Sequence, residues 1–189
     1  MQDLWLLKHD ASTADPLAGP WLREARSWQA VDGHLAYFYV PGATPPAESG
    51  PGEWRRLACL QDVPGASAGR VAAYHYVVET DVLPEFEDEL NAWYAQEHLP
   101  GLAAVPGTVR AARYIDPTGS PRYYACYDLT DPEALGSPAW LAVRATAWSS
   151  RVRPAFRNTR RTMFASWCRH SCNPELTLQR FASPVVTRG

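Results

Sequence analysis

The sequence has a single lysine, Lys8, so arginine supplies almost all of its 18 basic side chains. The chain also has 20 acidic side chains, which leaves a formal net charge of −2. A chain without a positive net charge lacks the electrostatic footprint of a nucleic-acid-binding domain. We therefore expect no nucleic-acid partner.

Long apolar runs are absent as well. The N-terminal run Leu4–Leu7 follows an acidic residue, whereas a secretory signal peptide begins with basic residues and has a longer apolar stretch. No run approaches the roughly 18 apolar residues of a membrane-spanning helix. We expect no membrane association and a cytoplasmic location.

Cysteine is sparse, and the cysteines do not form a zinc motif. Cys168 and Cys172 flank His170, but no second Cys/His pair lies at zinc-binding spacing. The glycine-rich nucleotide-binding motifs, the nucleophile elbow of serine hydrolases and the His-Glu-x-x-His motif are also missing. We expect no metal and no other cofactor, and we expect free thiols.

Hydrophobic residues make up 46% of the 189 residues and aromatic residues 12%, a composition that favours a packed core over disorder. Strands are predicted where β-branched and aromatic residues are frequent, at residues 71–80, 108–115, 122–129 and 162–167. Turn-rich segments at residues 41–51 and 63–69 are predicted to be linkers.

Two helices are predicted between these strands. The first begins at Pro84 and ends at Pro100, just after His98. The second begins at the N-cap Ser137 and ends before Pro154. Their predicted apolar faces are Phe86, Leu90, Trp93 and Tyr94 in the first, and Leu141, Ala145, Trp148 and Val152 in the second. The resulting order β-α-β-β-α-β predicts a ferredoxin-like α+β domain.

Residues 1–70 resemble a shortened copy of this domain. Residues 55–60 resemble residues 122–127, and residues 33–37 take the place of residues 107–111. Leu4–Lys8 would match the strand at Tyr76–Glu79, and Trp21–Trp28 the first helix. Two interpretations stay open: a degenerate repeat that pairs its sheet within one chain, or a plain extension of the sheet. The predicted units are residues 1–70, a ferredoxin-like domain at 71–168 and a C-terminal arm at 169–189.

One motif carries a family resemblance. Ala92–Pro100 (AWYAQEHLP), Val105–Gly107, Ala112–Tyr114 and Tyr123–Leu129 together resemble the EthD-like branch of the dimeric α+β-barrel superfamily, over residues 74–167. The resemblance implies two sheets paired into a barrel and a pocket between each sheet and its helices. It also implies cofactor-free chemistry on small, often aromatic or polyketide-like molecules, and haem binding in a few branches.

The strongest catalytic candidate is His98, which follows Leu90 and Tyr94 on one helical face. Its side chain is suited to general acid or base chemistry near neutral pH. The alternative is a structural histidine that caps the helix end. Alternation along the first strand places Tyr76 on one face and His75 on the other. The candidate substrate-binding residues are Trp93, Tyr94, Tyr76, Arg113 and Tyr114.

Two classes of function follow. The first is a cofactor-free enzyme that carries out an oxidation, cyclisation or isomerisation of a small aromatic or polyketide-like molecule. The second is a non-catalytic small-molecule binder or relict barrel, with haem binding as a less favoured variant. A half-barrel exposes an apolar sheet face, so we expect a homodimer unless residues 1–70 cover that face. Acidic residues between 79 and 97 and arginines between 151 and 161 either face each other or form two solvated surfaces.

Overall fold

The computed structural model describes residues 2–12, 17, 19–42, 44–46 and 52–167. Within these residues, eight antiparallel strands form a closed barrel in the order β1-β3-β2-β8-β5-β7-β6-β4. The strands are β1 (Leu4–Asp10), β2 (Arg26–Ala30), β3 (Leu35–Pro41), β4 (Glu53–Pro64), β5 (Tyr74–Val82), β6 (Thr108–Ile115), β7 (Tyr123–Leu129) and β8 (Phe156–Ser166). The predicted C-terminal arm, Cys168 and Cys172 lie outside the described residues.

The C-terminal half has the predicted ferredoxin-like arrangement. Its strands lie in the order β8-β5-β7-β6, with helices between β5 and β6 and between β7 and β8. The predicted bounds of β6 are confirmed. Strand β8 begins six residues earlier than predicted, and Arg157, Arg160 and Arg161 lie on it. The first six residues of β8 were not predicted as strand, because their arginines suggested a solvated surface beside the second helix.

The N-terminal half has the corresponding strand order β4-β1-β3-β2 but little helix. The predicted helix at residues 21–28 is wrong, since only a single 3-10 turn (Pro20–Arg23) precedes β2. The sequence matched residues 33–37 to the strand that is now β6 and residues 55–60 to β7, and each match is wrong by one strand. In the sheet order, β3 holds the position of β7, and β4 holds the position of β8. An internal duplication remains a proposal.

The barrel closes within one chain. Strand β2 pairs with β8, where Ala30 lies opposite Phe164, and β4 pairs with β6, where Pro64 lies opposite Arg110. The N-terminal strands thereby cover the apolar sheet face that a second subunit was expected to cover. Side chains from both halves fill the barrel interior, among them Leu6, Tyr37, Leu57, Val77, Tyr124 and Phe164.

The first helical segment does not end at Pro100, as the sequence predicted. It comprises a 3-10 turn (Pro84–Phe86), α1 (Glu87–Trp93), a π-helical turn (Tyr94–His98) and α2 (Leu99–Ala103). Proline lacks an N–H, and its ring clashes with the carbonyl four residues earlier in a regular α-helix. The π turn, closed by donation from the Leu99 N–H to the Tyr94 carbonyl, makes the local geometry wider. The predicted burial of Leu90, Trp93 and Tyr94 is confirmed.

The second helical segment is broken into α3 (Pro138–Arg144) and α4 (Ala147–Val152). Ser137 caps α3 as predicted, by accepting a hydrogen bond from the Trp140 N–H. The predicted apolar face is correct for Val152 and wrong for Leu141, which is 50% exposed. Trp140 is buried in its place. No helix among the described residues is long and apolar enough to span a membrane.

Candidate functional site

A cleft lies between the outer face of the C-terminal sheet and the helices that cover it. Aromatic side chains from both layers form much of its wall: Tyr76, Trp93, Tyr94, Tyr127, Trp140 and Phe156. Its empty space is about 390 Å³ including the open mouth, and about 30 Å³ of this is available to the centres of water molecules. The cleft therefore holds one or two waters as it stands, and a ligand would lie mainly at its open mouth.

The π turn places His98 in the wall of this cleft. Its imidazole stacks on the indole of Trp93 at 4.0 Å between centroids, and meets the Tyr94 ring edge-on at 5.2 Å. The side chain is 7% exposed, and its Nδ1 is buried without a hydrogen-bond partner among the described residues. Because the helical segment continues to Ala103, His98 does not cap a helix end, and the capping alternative is wrong.

The surroundings of His98 oppose protonation. Burial, followed by the positive charges of Arg153 and Arg144, lowers the pKa of His98 to about 3. The imidazole is therefore neutral at neutral pH. Burial has outweighed any helix-dipole effect in favour of the charged form. A neutral imidazole can accept a proton, but a pKa of about 3 makes it a weak base, so the expected titration near neutral pH is wrong for the empty cleft. A negative charge in the cleft would raise this pKa.

Tyr76, Trp93 and Tyr94 line the cleft together with His98, and Arg113 lies behind them. The Arg113 guanidinium sits over the rings of Tyr94 (4.4 Å) and Tyr123 (4.7 Å). Burial lowers the pKa of Arg113, and its Nε and Nη2 have no partner within the described part of the chain. Arg113 therefore supports Tyr94 from beneath the helix and does not form the cleft wall.

Tyr114 is separated from the other candidates. It belongs to the barrel interior, and its hydroxyl accepts a hydrogen bond from Arg110 Nη2 at 3.0 Å. Neighbours along a strand point to opposite faces, so Arg113 and Tyr114 cannot both face the cleft. His75 also lies in the barrel interior, whereas Tyr76 lies on the helix side. Strand alternation predicted opposite faces for the two residues but not which face met the helices.

Three arginines of the cleft were not identified as site residues from the sequence: Arg144, Arg153 and Arg161. Arg153 and Arg161 were assigned only to a basic segment. The predicted pairing of that segment with acidic residues holds for Arg151, whose Nε donates to Glu89 at 2.5 Å. Correct bounds for β8 would have placed Arg161 on the helix side with Met163, since residues two apart share a face.

A second polar cluster lies inside the barrel. His75 Nδ1 donates to Asp128 at 2.7 Å, His75 Nε2 accepts from the Tyr39 hydroxyl at 3.0 Å, and Arg26 donates to Asp128 at 2.7 Å. Burial opposes ionisation of Asp128, but the bonds from His75 and Arg26 outweigh it and lower its pKa to about 2. Burial lowers the pKa of His75 despite the Asp128 contact. Both imidazole nitrogens of His75 are therefore hydrogen-bonded within this cluster.

The described residues contain no candidate metal centre, since no group of three or more His, Cys, Asp or Glu side chains is placed to hold an ion. A haem fits poorly at His98. The cleft has room for only one or two water molecules, far less than a haem macrocycle occupies.

No protein-family model matches the sequence, and no curated protein matches it either. Solved structures do. A candidate monooxygenase from Fusobacterium nucleatum is 9% identical, with a TM-score of 0.61 over 87% of this chain and 91% of that one. An anthrone oxidase-like protein is 14% identical, with a TM-score of 0.53 over 88% of this chain and 92% of that one. A heme-degrading enzyme from Listeria monocytogenes is 8% identical, with a TM-score of 0.53 over 88% of this chain and 100% of that one.

These similarities show the fold. The chain is an α+β protein with the ferredoxin-like fold, and its two sheets close into one barrel.

Proposed function

We propose that the chain is a cofactor-independent enzyme of the EthD-like type, which acts on a small aromatic or polyketide-like molecule with His98 as its general base. The observation that carries the proposal is the neutral imidazole of His98 in the wall of an aromatic cleft, whose Nδ1 has no hydrogen-bond partner among the described residues. Buried polar atoms of folded proteins are almost always hydrogen-bonded. An unpaired one beside a cleft is a candidate contact for a ligand.

The first chemical step common to the candidate reactions is removal of a proton. The imidazole accepts a proton from an acidic C–H or O–H of the substrate, and the electron pair of the broken bond stays on the substrate as an enolate or phenolate. The imidazolium and this anion then form an ion pair. The acceptor imidazole is held by the stack on Trp93, so it is oriented before the substrate binds.

The later steps depend on the substrate. In an oxidation, the substrate anion is oxidised and dioxygen is the oxidant that is reduced. In a cyclisation or isomerisation, the anion attacks a carbonyl of the same molecule or is reprotonated at another carbon. Tyr127 offers a second polar contact, because its hydroxyl is buried in the cleft wall without a partner among the described residues.

Two comparisons support this class of reaction. The segment Ala92–Pro100 carries the resemblance to the EthD-like branch. Two of the similar structures are described as a monooxygenase candidate and an anthrone oxidase-like protein, names that indicate oxidation of organic molecules. Their identities of 9% and 14% limit this support to the class of chemistry.

The second candidate function is a non-catalytic binder. It is favoured by the small deep volume of about 30 Å³, which leaves little room to enclose a reacting group beside His98. Both functions predict a bound small molecule, and only the enzyme predicts proton transfer at His98.

Proton exchange separates the two candidates. A panel of aromatic ketones and phenols with acidic C–H bonds is incubated with the protein in D₂O, and loss of the substrate proton signal is followed by NMR. We expect catalysed exchange with the native protein and a loss of roughly 100-fold in His98→Gln, the usual scale of general-base catalysis. His34→Gln is the matched control, because His34 is exposed. Equal exchange in His98→Gln and the native protein would reject the proposal.

A further inference from the structure

We propose that the cleft binds an aromatic anion, a carboxylate or a phenolate, through Arg144, Arg153 and Arg161. The inference concerns the same cleft as the proposed function and names its substrate class. It rests on the proposed function only for the identity of the cleft, because anion binding does not require His98 to act as a base.

The three arginines come from three separate elements. Arg144 is the last residue of α3, Arg153 follows α4 directly, and Arg161 lies on β8. All three line the same cleft. Convergence of like charges from a sheet and two helical segments is unfavourable by itself, and a bound anion would offset it.

Within the described residues, no carboxylate performs that task. No side-chain hydrogen bond and no ion pair joins Arg144, Arg153 or Arg161 to any described residue. Other arginines of the same chain are paired: Arg26 with Asp128, Arg110 with Asp62, Arg122 with Glu87 and Arg151 with Glu89. Acidic side chains of the described residues thus pair with other arginines and not with Arg144, Arg153 or Arg161.

The titration behaviour of the cleft agrees with the geometry. Burial lowers the pKa of Arg153, and the charges of Arg144 and Arg161 lower it further. The charges of Arg153 and Arg144 also reinforce the effect of burial on His98. Each of these groups gains from a negative charge placed among them.

The remaining lining determines the rest of the ligand. Tyr76, Trp93, Tyr94 and Trp140 present aromatic surface on the inner wall, which suits a flat apolar body. The empty space of about 390 Å³ includes the open mouth, so the ring body of a ligand would lie mainly at the mouth, against this aromatic wall. Guanidinium groups match a carboxylate in bidentate geometry, so the anionic group belongs at the arginines.

Three probes separate charge from aromatic surface: 2-naphthoate, the neutral 2-naphthamide and the non-aromatic anion acetate. Binding to the full-length protein is measured by isothermal titration calorimetry. We expect 2-naphthoate to bind at least about 10-fold more tightly than either of the other probes, the usual scale for a charge-assisted contact. Equal affinity for 2-naphthoate and 2-naphthamide would overturn the inference.

Variants assign the effect to the arginines. Arg144→Gln and Arg161→Gln are each expected to weaken 2-naphthoate by about 10-fold and to leave 2-naphthamide unchanged. Arg157→Gln is the control, since Arg157 lies on the same strand but donates only to the carbonyls of Pro154 and Phe156. Arg161 is exposed, so Arg161→Gln should keep the native melting temperature. A loss as large in Arg157→Gln as in Arg161→Gln would reject the site.

The outcomes for the two proposals are distinct. Arginine-dependent 2-naphthoate binding without proton exchange on any substrate would retain the anion site and reject the general-base function. Proton exchange on neutral substrates with no effect of Arg144→Gln or Arg161→Gln would retain the function and reject the anion site.

Discussion

The imidazole of His98 lies nearly flat on the indole of Trp93, with the ring planes inclined by 22°. The same indole donates from Nε1 to Glu97 Oε1 at 3.2 Å, and this oxygen also accepts the Thr146 hydroxyl at 2.6 Å. Glu97 thereby links the π turn to the junction before α4. The orientation of the candidate base thus depends on a contact between two helical segments.

Replacement of Glu97 by Ala should weaken this link. It removes an acceptor from Trp93 Nε1 and from Thr146, so we expect the free energy of unfolding to fall by about 1–3 kcal/mol. Urea denaturation measures the change, with Glu85→Ala as control because Glu85 is exposed near the start of the same segment. A loss no larger than that of Glu85→Ala would show that the contact does not stabilise the fold.

His98 should make stability depend on pH. Its pKa is about 3 in the folded protein and 6.5 in the reference state, so between these values the unfolded chain binds more protons. The contribution of His98 to the free energy of unfolding is therefore fully present above about pH 6.5 and is lost as the pH is lowered through this window. When the pH is lowered from 7 to 5, we expect the free energy of unfolding of His98→Gln to fall by about 2 kcal/mol less than that of the native protein. Parallel profiles would contradict the buried neutral imidazole.

Anion binding should raise the pKa of His98. A carboxylate among Arg153 and Arg144 offsets two charges that help to hold that pKa down. The pKa is measured from imidazole NMR shifts with and without 2-naphthoate, and an upward shift is expected. No shift at saturating 2-naphthoate would place the bound anion away from His98.

The cluster inside the barrel should affect stability without affecting the cleft. Asp128→Ala leaves the buried His75 N–H without its acceptor, so we expect a loss of about 1–3 kcal/mol and unchanged 2-naphthoate affinity. Asp62→Ala is the matched control. It breaks an ion pair with Arg110 whose partners are about 30% exposed, and it should cost about 0–1 kcal/mol. Weakened 2-naphthoate binding in Asp128→Ala would connect the two sites.

Closure of the barrel within one chain should make folding independent of protein concentration. An obligate dimer would lose stability on dilution by mass action, whereas pairing of β2 with β8 and of β4 with β6 is intramolecular. We expect the melting temperature to stay constant over about a 100-fold dilution. A falling melting temperature would show that a second subunit is required for stability.

The strand and helix order of the C-terminal half was predictable because each element there has a clear apolar period. Strand β6 and the buried face of α1 show this directly. Strand β8 was only half recognised, because Arg157, Arg160 and Arg161 interrupt the apolar pattern in its first half. The continuation of the helix past Pro100 was missed, since a π turn has no clear signal in the order of residue types.

The site was predictable in part for similar reasons. Tyr76, Trp93, Tyr94 and His98 lie together because helical and strand periods place them on facing surfaces. Tyr114 and Arg113 were both candidates for the same cleft, although strand alternation separates them. Arg144 and Arg161 meet only through the packing of α3 on the sheet, and no local pattern records a contact of that kind.

The unequal coverage of the two half-barrels has a consequence for ligand stoichiometry. A barrel assembled from two equivalent halves would carry two helix-covered clefts and could show cooperativity between them. Here the described N-terminal strands carry only a 3-10 turn, while α1 to α4 cover the C-terminal half. Titration with an aromatic anion should therefore saturate at one ligand per chain. The binding curve should be a simple hyperbola, because a single site cannot show cooperativity.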